Sequence, residues 1–298
     1  MKIALFGYGF IGKNIVSKLS RKNNEIMVFS RSVKSTLNEA KVSYFSIDFR
    51  MKDFKLDEIN NFDVAIYSLN VGIPGNNDIQ NNKEDLDIFV NVVKECKNAQ
   101  VKKLVLISSA SVYGDLIEDP LKEEDELRGN SEYAKTRIKM EQFLKKEFDG
   151  DQNKFLIIRP SNPYGPYQFK QGIIYRILSS KLDNKIVKID NSARSIRDFI
   201  FIEDLVDAIE FLISQQPLLN TYNLSSSRGI TILELLKKIE LVEPGFKDFI
   251  EIDSEKYTKS VSILSNERLL LEMKNLQLHS LEEGLKKTLN WINSKELY

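Results

Sequence analysis

The chain has 298 residues, 42% hydrophobic and 29% charged, and its 43 basic and 43 acidic side chains cancel. Those proportions suit a soluble globular protein of one large domain or two interleaved ones, and the balance of charge argues against a broad nucleic-acid or membrane footprint. With one cysteine (Cys96) and one histidine (His279), an intramolecular disulfide is excluded, and a thiol or multi-histidine metal site and a serine–histidine hydrolase are disfavoured.

Strands and helices alternate from the start. Residues 2–6 read as a strand, 11–20 as a helix, and 26–30, 43–47 and 64–67 as the next three strands. A helix follows over 86–97, with Leu86, Phe89, Val90 and Val93 on one face; then come a buried strand over 103–108, a helix over 133–146 and a sixth strand over 155–158, ended by Arg159-Pro160. After residue 160 the chain reads as irregular, with Pro160, Pro163, Gly165 and Pro166 crowded together. Helices are expected near 172–182, 202–214, 232–239 and 281–291. Short β-branched runs alternating with amphipathic stretches predict an α/β fold: a doubly wound parallel sheet (Rossmann) with a smaller C-terminal substrate-binding lobe. A dinucleotide-binding domain is expected over 1–165, with a later segment near 195–225 returning to it, and the lobe over 166–298. The first strand begins at residue 2 and no apolar run approaches the ~20 residues that span a bilayer, so a cytoplasmic protein without signal peptide or membrane span is expected.

Three motifs carry chemistry. Gly7-Tyr8-Gly9-Phe10-Ile11-Gly12 lies between the first strand and its helix, where glycines let a pyrophosphate approach free helix amides. Gly7, Gly9, Phe10, Ile11 and Gly12 are the candidate cofactor contacts, and the bland alternative is a tight turn that binds nothing. The second strand ends in Ser30-Arg31-Ser32, with Lys34 close behind, where NAD-binding chains usually carry an acid. A guanidinium there suits a 2′-phosphate, so NADP is expected over NAD, against a reading of Arg31 and Lys34 as solvated loop cations. Finally, Ser108-Ser109-Ala110-Ser111-Val112-Tyr113-Gly114 closes the fifth strand, and Tyr133 and Arg137 share one helix face beyond it.

In this order and on these elements, the motifs resemble the extended short-chain dehydrogenase/reductase family of nucleotide-sugar epimerases, dehydratases and reductases. The resemblance implies that Ser109 hydrogen-bonds the reacting hydroxyl or carbonyl, that Ser111 supports it, and that Tyr133 is the general acid/base. It places Arg137 where the family carries lysine. A free tyrosine has a pKa near ~10, so it needs positive charge nearby, which arginine supplies permanently. Asn162, within Arg159-Pro160-Ser161-Asn162-Pro163-Tyr164-Gly165-Pro166, and Arg197, which opens Arg197-Asp198-Phe199, match positions that touch the diphosphate or sugar. The family's 4,6-dehydratases carry an Asp-Glu pair after the serine or threonine, where this chain has Ala110-Ser111. Glu118, Asp119, Glu123 and Asp125 read as surface charges, and Glu84-Asp85 stands where many relatives place an asparagine.

The function this implies is NADPH-linked reduction of the 4-keto group of a nucleotide-diphosphate deoxysugar for a surface polysaccharide. A nucleotide-sugar C4 epimerase and a catalytically silent dinucleotide-binding protein are the alternatives. The expected partners are a nucleotide-diphosphate sugar and a second copy of the chain, paired through the helices over 86–97 and 133–146. No nucleic acid, membrane or metal is expected.

Overall fold

A computed structural model describes residues 1–31, 41–51, 54–70, 79–114, 120–168, 172–189, 191–252 and 260–294. The elements run β1 (Lys2–Phe6), α1 (Phe10–Leu19), β2 (Glu25–Ser30), β3 (Val42–Ser46), β4 (Val64–Tyr67), α2 (Ile79–Asn98), β5 (Lys103–Ile107), α3 (Glu132–Glu147) and β6 (Phe155–Pro160). They continue with β7 (Asn162–Tyr164), α4 (Ile173–Ser180), β8 (Val187–Ile189), β9 (Ile196–Phe201), α5 (Ile202–Ser214), β10 (Thr221–Leu224) and β11 (Gly229–Thr231). Last come α6 (Ile232–Val242), β12 (Ile250–Ile252), β13 (Val261–Ser262), α7 (Glu267–Glu272) and α8 (Leu281–Ser294). Among the described residues, no helix is long and apolar enough to cross a membrane.

The main sheet has seven parallel strands in the order β10-β6-β5-β4-β1-β2-β3. Its order reverses at β1, with β2 on one side and β4 on the other, each paired in parallel. A doubly wound sheet binds its ligands at such a switch point. These strands are apolar along nearly their whole length because both faces are covered; Ile3 to Phe6 and Val64 to Tyr67 are all buried.

Two compact units divide the chain: Met1–Gly114 with Glu126–Arg159 and Ile209–Tyr222, and Asp115–Asp125 with Pro160–Ala208 and Asn223–Tyr298. In the first, an aromatic row crosses the sheet: Phe6 stacks on Phe29 at 5.3 Å and Phe29 on Phe45 at 5.1 Å. Phe89, Val92, Val93, Met140 and Leu144 belong to the same core, and each large apolar side chain buried there contributes ~1.5–3 kcal/mol. In the second unit β9 is central, flanked by antiparallel β11 and by β13 and β7 in parallel, with Asn162 opposite Phe199. The Asp198 side chain of β9 is fully buried and accepts hydrogen bonds from the Ser226 hydroxyl at 2.6 Å, the Ser226 amide at 3.1 Å and the Leu264 amide at 3.3 Å.

The structure departs from the sequence reading at several elements. α2 begins at Ile79, well before residue 86, because its first turns are polar and carry no apolar periodicity although Asp85 is fully buried. β6 runs on through Arg159 and Pro160, both buried, since the Arg159 charge is neutralised inside the fold by Glu141. The stretch after residue 160, expected to be irregular, holds the short strands β7, β8 and β9.

Candidate active site

The glycine turn closes tightly on the end of β4. Gly7 has φ +104°, and a Cβ there would meet the Leu69 amide nitrogen at 2.9 Å; a Cβ on Gly12 would lie 2.2 Å from the Gly7 carbonyl oxygen. Both positions demand glycine for the fold itself. Gly9 does not. A Cβ there meets nothing within 4 Å, so its missing side chain leaves open space at the start of α1. No side chain caps that helix and no acid lies in its first turn, so its amides are left for an anion. Phe10 and Ile11 form the first turn of α1 and are partly exposed. The cradle therefore fits the pyrophosphate of a dinucleotide.

At the end of β2, Ser30 is partly exposed and Arg31 is exposed, while Lys34 lies outside the described residues. Asp48, past the end of β3, was not anticipated. Hydrogen bonds from Arg50 hold its carboxyl at about 2, and the charge of Arg31 adds to that effect. Tyr8 of the glycine turn meets Tyr44 of β3 edge to face at 5.3 Å.

Ser109, Ser111, Tyr133 and Arg137 all lie in the first unit. Beyond β5 the chain makes a turn of 3-10 helix over Ala110–Tyr113, and the Ser109 hydroxyl accepts from the Ser111 amide at 3.1 Å. The Ser111 hydroxyl oxygen is buried and without a hydrogen-bond partner among the described residues. This turn packs on the start of α3 because Gly129 has no side chain: a Cβ there would stand 2.4 Å from the Ser111 carbonyl oxygen and 2.6 Å from the Ala134 Cβ. Tyr133 is 8% exposed. Arg137 is buried one turn on, with its guanidinium carbon 5.2 Å from the Tyr133 ring centroid. Burial works against the Arg137 charge, but the Tyr133, Asp85 and Tyr67 oxygens outweigh it and hold the guanidinium protonated, its pKa raised.

A second buried arginine braces the same block. Arg159 donates to Glu141 through Nε at 3.0 Å and Nη2 at 2.6 Å, and through Nη1 to the Tyr113 hydroxyl at 2.7 Å. The Ser108 hydroxyl completes the network by donating to Glu141 Oε1 at 2.6 Å. The sequence did not point to Glu141, and it placed Asp85, with Glu84, where many relatives of the resembled family carry an asparagine that braces the active site. Glu123, expected at the surface, is instead buried and accepts from the Asn223 amide at 2.8 Å, while burial pushes its carboxyl up. Glu118 and Asp119 lie outside the described residues.

In the second unit, Asn162 donates to the Asp198 carbonyl oxygen at 2.8 Å, and Arg197 donates to the Ser260 hydroxyl at 2.8 Å and carbonyl at 3.1 Å. The two candidate substrate contacts thus stand on the paired strands β7 and β9, partly exposed. His279 is tied to Asp204, with Nδ1 at 2.6 Å from one carboxylate oxygen and the backbone amide donating to the other at 3.0 Å. Cys96 is a free, buried thiol whose pKa burial pushes up, which makes it a poor nucleophile.

Among known proteins, mouse dTDP-D-glucose 4,6-dehydratase is 26% identical over 212 residues, 68% of this chain but only 58% of that enzyme. The Escherichia coli dTDP-4-dehydro-6-deoxyglucose reductase is 28% identical over 316 residues, covering 97% of this chain and 96% of the reductase. The crystallised UDP-N-acetylglucosamine 4-epimerase of Methanobrevibacter ruminantium M1, in complex with UDP-N-acetylmuramic acid, shares the fold with a TM-score of 0.88 over 99% of this chain and 98% of its own, at 23% identity. The family model described as the NAD dependent epimerase/dehydratase family matches residues 6–225, which takes in the glycine turn, the serine block and Tyr133. The chain belongs to that family.

Proposed function

We propose that the protein is a nicotinamide-dinucleotide-dependent oxidoreductase of nucleotide sugars, and that it reduces the 4-keto group of a nucleotide-diphosphate deoxysugar with NADPH. The observation that carries this reading is the placement of Tyr133, 8% exposed and with the buried cation Arg137 5.2 Å from its ring centroid, on the helix that packs against the Ser109–Tyr113 turn. Similarity to the E. coli reductase along almost the full length of both chains supports the reductive direction. So does Ala110-Ser111, which leaves the serine block without the paired acids that elimination of water needs.

The residues then divide the work. Gly9 and the first turn of α1 receive the pyrophosphate, and Arg31 reaches the 2′-phosphate of the adenosine ribose. When bound, the cofactor supplies the hydride. Ser109 donates a hydrogen bond to the sugar carbonyl oxygen and orients it, with Ser111 in support. Tyr133 delivers the proton to that same oxygen. Asn162 and Arg197 hold the sugar and diphosphate. Leu86, Val90, Ile138 and Phe143, partly exposed on α2 and α3, suit a homodimer.

A second reading, C4 epimerisation, uses the same Tyr133 and Ser109, and the Ser-Ala-Ser-Val-Tyr-Gly block of residues 109–114 suits it equally. Fluorescence titration with NADPH and NADH, on the native protein and on Arg31→Ala, separates the two. NADPH preference that Arg31→Ala removes, with turnover lost in Tyr133→Phe, is the expected result. NAD retained through purification moves the epimerase to first place.

A further inference from the structure

Near its start, α1 carries a cation where the helix field favours an anion. The Lys13 amide donates to the Gly9 carbonyl oxygen at 2.9 Å, one turn into the helix, and helical side chains lean back toward the N-terminus. Its ammonium accordingly stands 5.6 Å from the ring centroid of Tyr8, the residue between Gly7 and Gly9. Positive charge at a helix start opposes the macrodipole, and no acid in the first turn offsets it. Attraction to the face of Tyr8 keeps the ammonium there. Tyr8 also shows which side of the cradle this is. Its ring meets that of Tyr44 at 5.3 Å, with the two hydroxyls 3.3 Å apart. Tyr44 of β3 lies opposite Val28 of β2, and two residues on Ser46 lies opposite Ser30. Side chains alternate across a strand, so Tyr44 and Ser46 share the face opposite Phe45 and its aromatic row. The Ser46 hydroxyl donates to the Arg31 carbonyl oxygen at 3.4 Å, which ties the end of β2 to β3. A Rossmann fold reads the adenosine ribose at the end of its second strand. Lys13 and Arg31 therefore stand on the adenosine side of the glycine turn.

We infer that Lys13 is a specificity-determining residue for the cofactor: held over Tyr8, its ammonium joins Arg31 in receiving the 2′-phosphate of NADPH. This rests on the reading of NADPH as the cofactor. A phosphate monoester carries a charge of about −1.5 to −2 at neutral pH, more than one guanidinium neutralises. Arg31 brings a planar fork of donors and Lys13 a compact charge on a flexible stem, so the two contribute differently to the same group. Asp48, whose carboxylate feels the charge of Arg31, is already engaged. Arg50 donates to it through Nε at 2.9 and 3.1 Å and through Nη2 at 2.6 Å, so Asp48 cancels little of the Arg31 charge. NADH presents an uncharged hydroxyl where NADPH presents the phosphate. Lys13 therefore contributes to the choice between the two cofactors and not to dinucleotide binding in general.

Fluorescence titration with NADPH and NADH tests this without substrate, on the native protein, Lys13→Met, Lys13→Arg and Arg31→Ala. Lys13→Met is expected to bind NADPH ~10-fold or more weakly, the loss of one charged hydrogen bond, and NADH within ~2-fold of the native protein. Lys13→Arg, which keeps the charge, is expected to retain most of the NADPH affinity. A Lys13→Met protein that loses affinity for both cofactors by the same factor, or for neither, overturns the inference and leaves Lys13 a stacking partner of Tyr8. Should Lys13→Met lose folded yield by circular dichroism, Lys13→Gln takes its place and is read in the same way. Weakened NADPH binding in Arg31→Ala with none in Lys13→Met removes Lys13 and leaves the NADPH reading standing. A native protein that binds NADH as tightly as NADPH removes both. Turnover of dTDP-4-dehydro-6-deoxyglucose with NADPH is measured separately. Its absence alongside the expected Lys13→Met result removes the reductase reading and leaves the role of Lys13 standing.

Discussion

Substitution of Glu141 by glutamine removes one charge from the centre of the first unit and leaves Arg159 there without its counter-ion. Glu141 accepts three hydrogen bonds, two from Arg159 and one from Ser108, and both charged side chains are 1% exposed. Breaking a buried pair by removing one partner costs ~3–5 kcal/mol, more than the pair itself contributes, because the remaining charge stays desolvated. At roughly 2–4 °C per kcal/mol for a chain approaching this size, the midpoint of thermal unfolding falls by ~6–20 °C. Circular dichroism melts of the native protein, Glu141→Gln, Arg159→Met and the double variant Glu141→Met/Arg159→Met provide the comparison. The double variant is expected to melt above Glu141→Gln, since it buries no unpaired charge. A Glu141→Gln protein that melts within ~2 °C of the native one, against that ~3–5 kcal/mol, would refute the reasoning, as would a double variant that simply sums the two single losses.

Gly9→Ala is expected to melt like the native protein yet bind NADPH at least ~10-fold more weakly, whereas Gly12→Ala, with its Cβ 2.2 Å from a carbonyl oxygen, is expected to lose folded yield; equal behaviour of the two in melts and fluorescence titration would contradict the turn geometry. Burial raises the Asp198 carboxyl, against the donors of Ser226, Leu264 and Ser227. Its protonated form is therefore favoured on folding, and that contribution is complete below the unfolded pKa and lost as pH rises through the folded one. Urea midpoints of the native protein relative to Asp198→Asn are accordingly expected to decline as pH rises across the carboxylate range, and a flat or rising difference would exclude this. Cys96, buried with its thiol pushed up, is expected not to react with a thiol reagent in the native state and to react fully in denaturant; rapid native labelling would show the site to be open.

What could be read from the sequence was what is local. β1, β4 and α5 run over the residues expected, because continuous apolar strands and an uninterrupted amphipathic stretch leave few alternatives. The glycine turn and the Tyr133–Arg137 spacing were legible for the same reason: their geometry is set within one or two turns of chain. The partners that give these residues their properties are distant. Asp85 lies 52 residues from Arg137, and Glu123 lies 100 residues from the Asn223 amide it accepts from. A lone acid in a polar stretch looks the same in sequence whether it meets solvent or a buried arginine. The polar opening of α2 illustrates the cost, since the turn that delivers Asp85 to Arg137 is the part of the helix that periodicity missed.

The sheet order also bears on how the chain is made. β10, which flanks β6, is supplied by residues 221–224, long after the other six strands of the sheet. A nascent chain that has emerged only as far as Pro160 holds β1 to β6 with the flank of β6 unpaired, an open template for another strand. Synthesis must pass the whole of β7 to α5 before that edge closes, so during translation β6 stays open to pairing with a neighbouring chain on the same messenger.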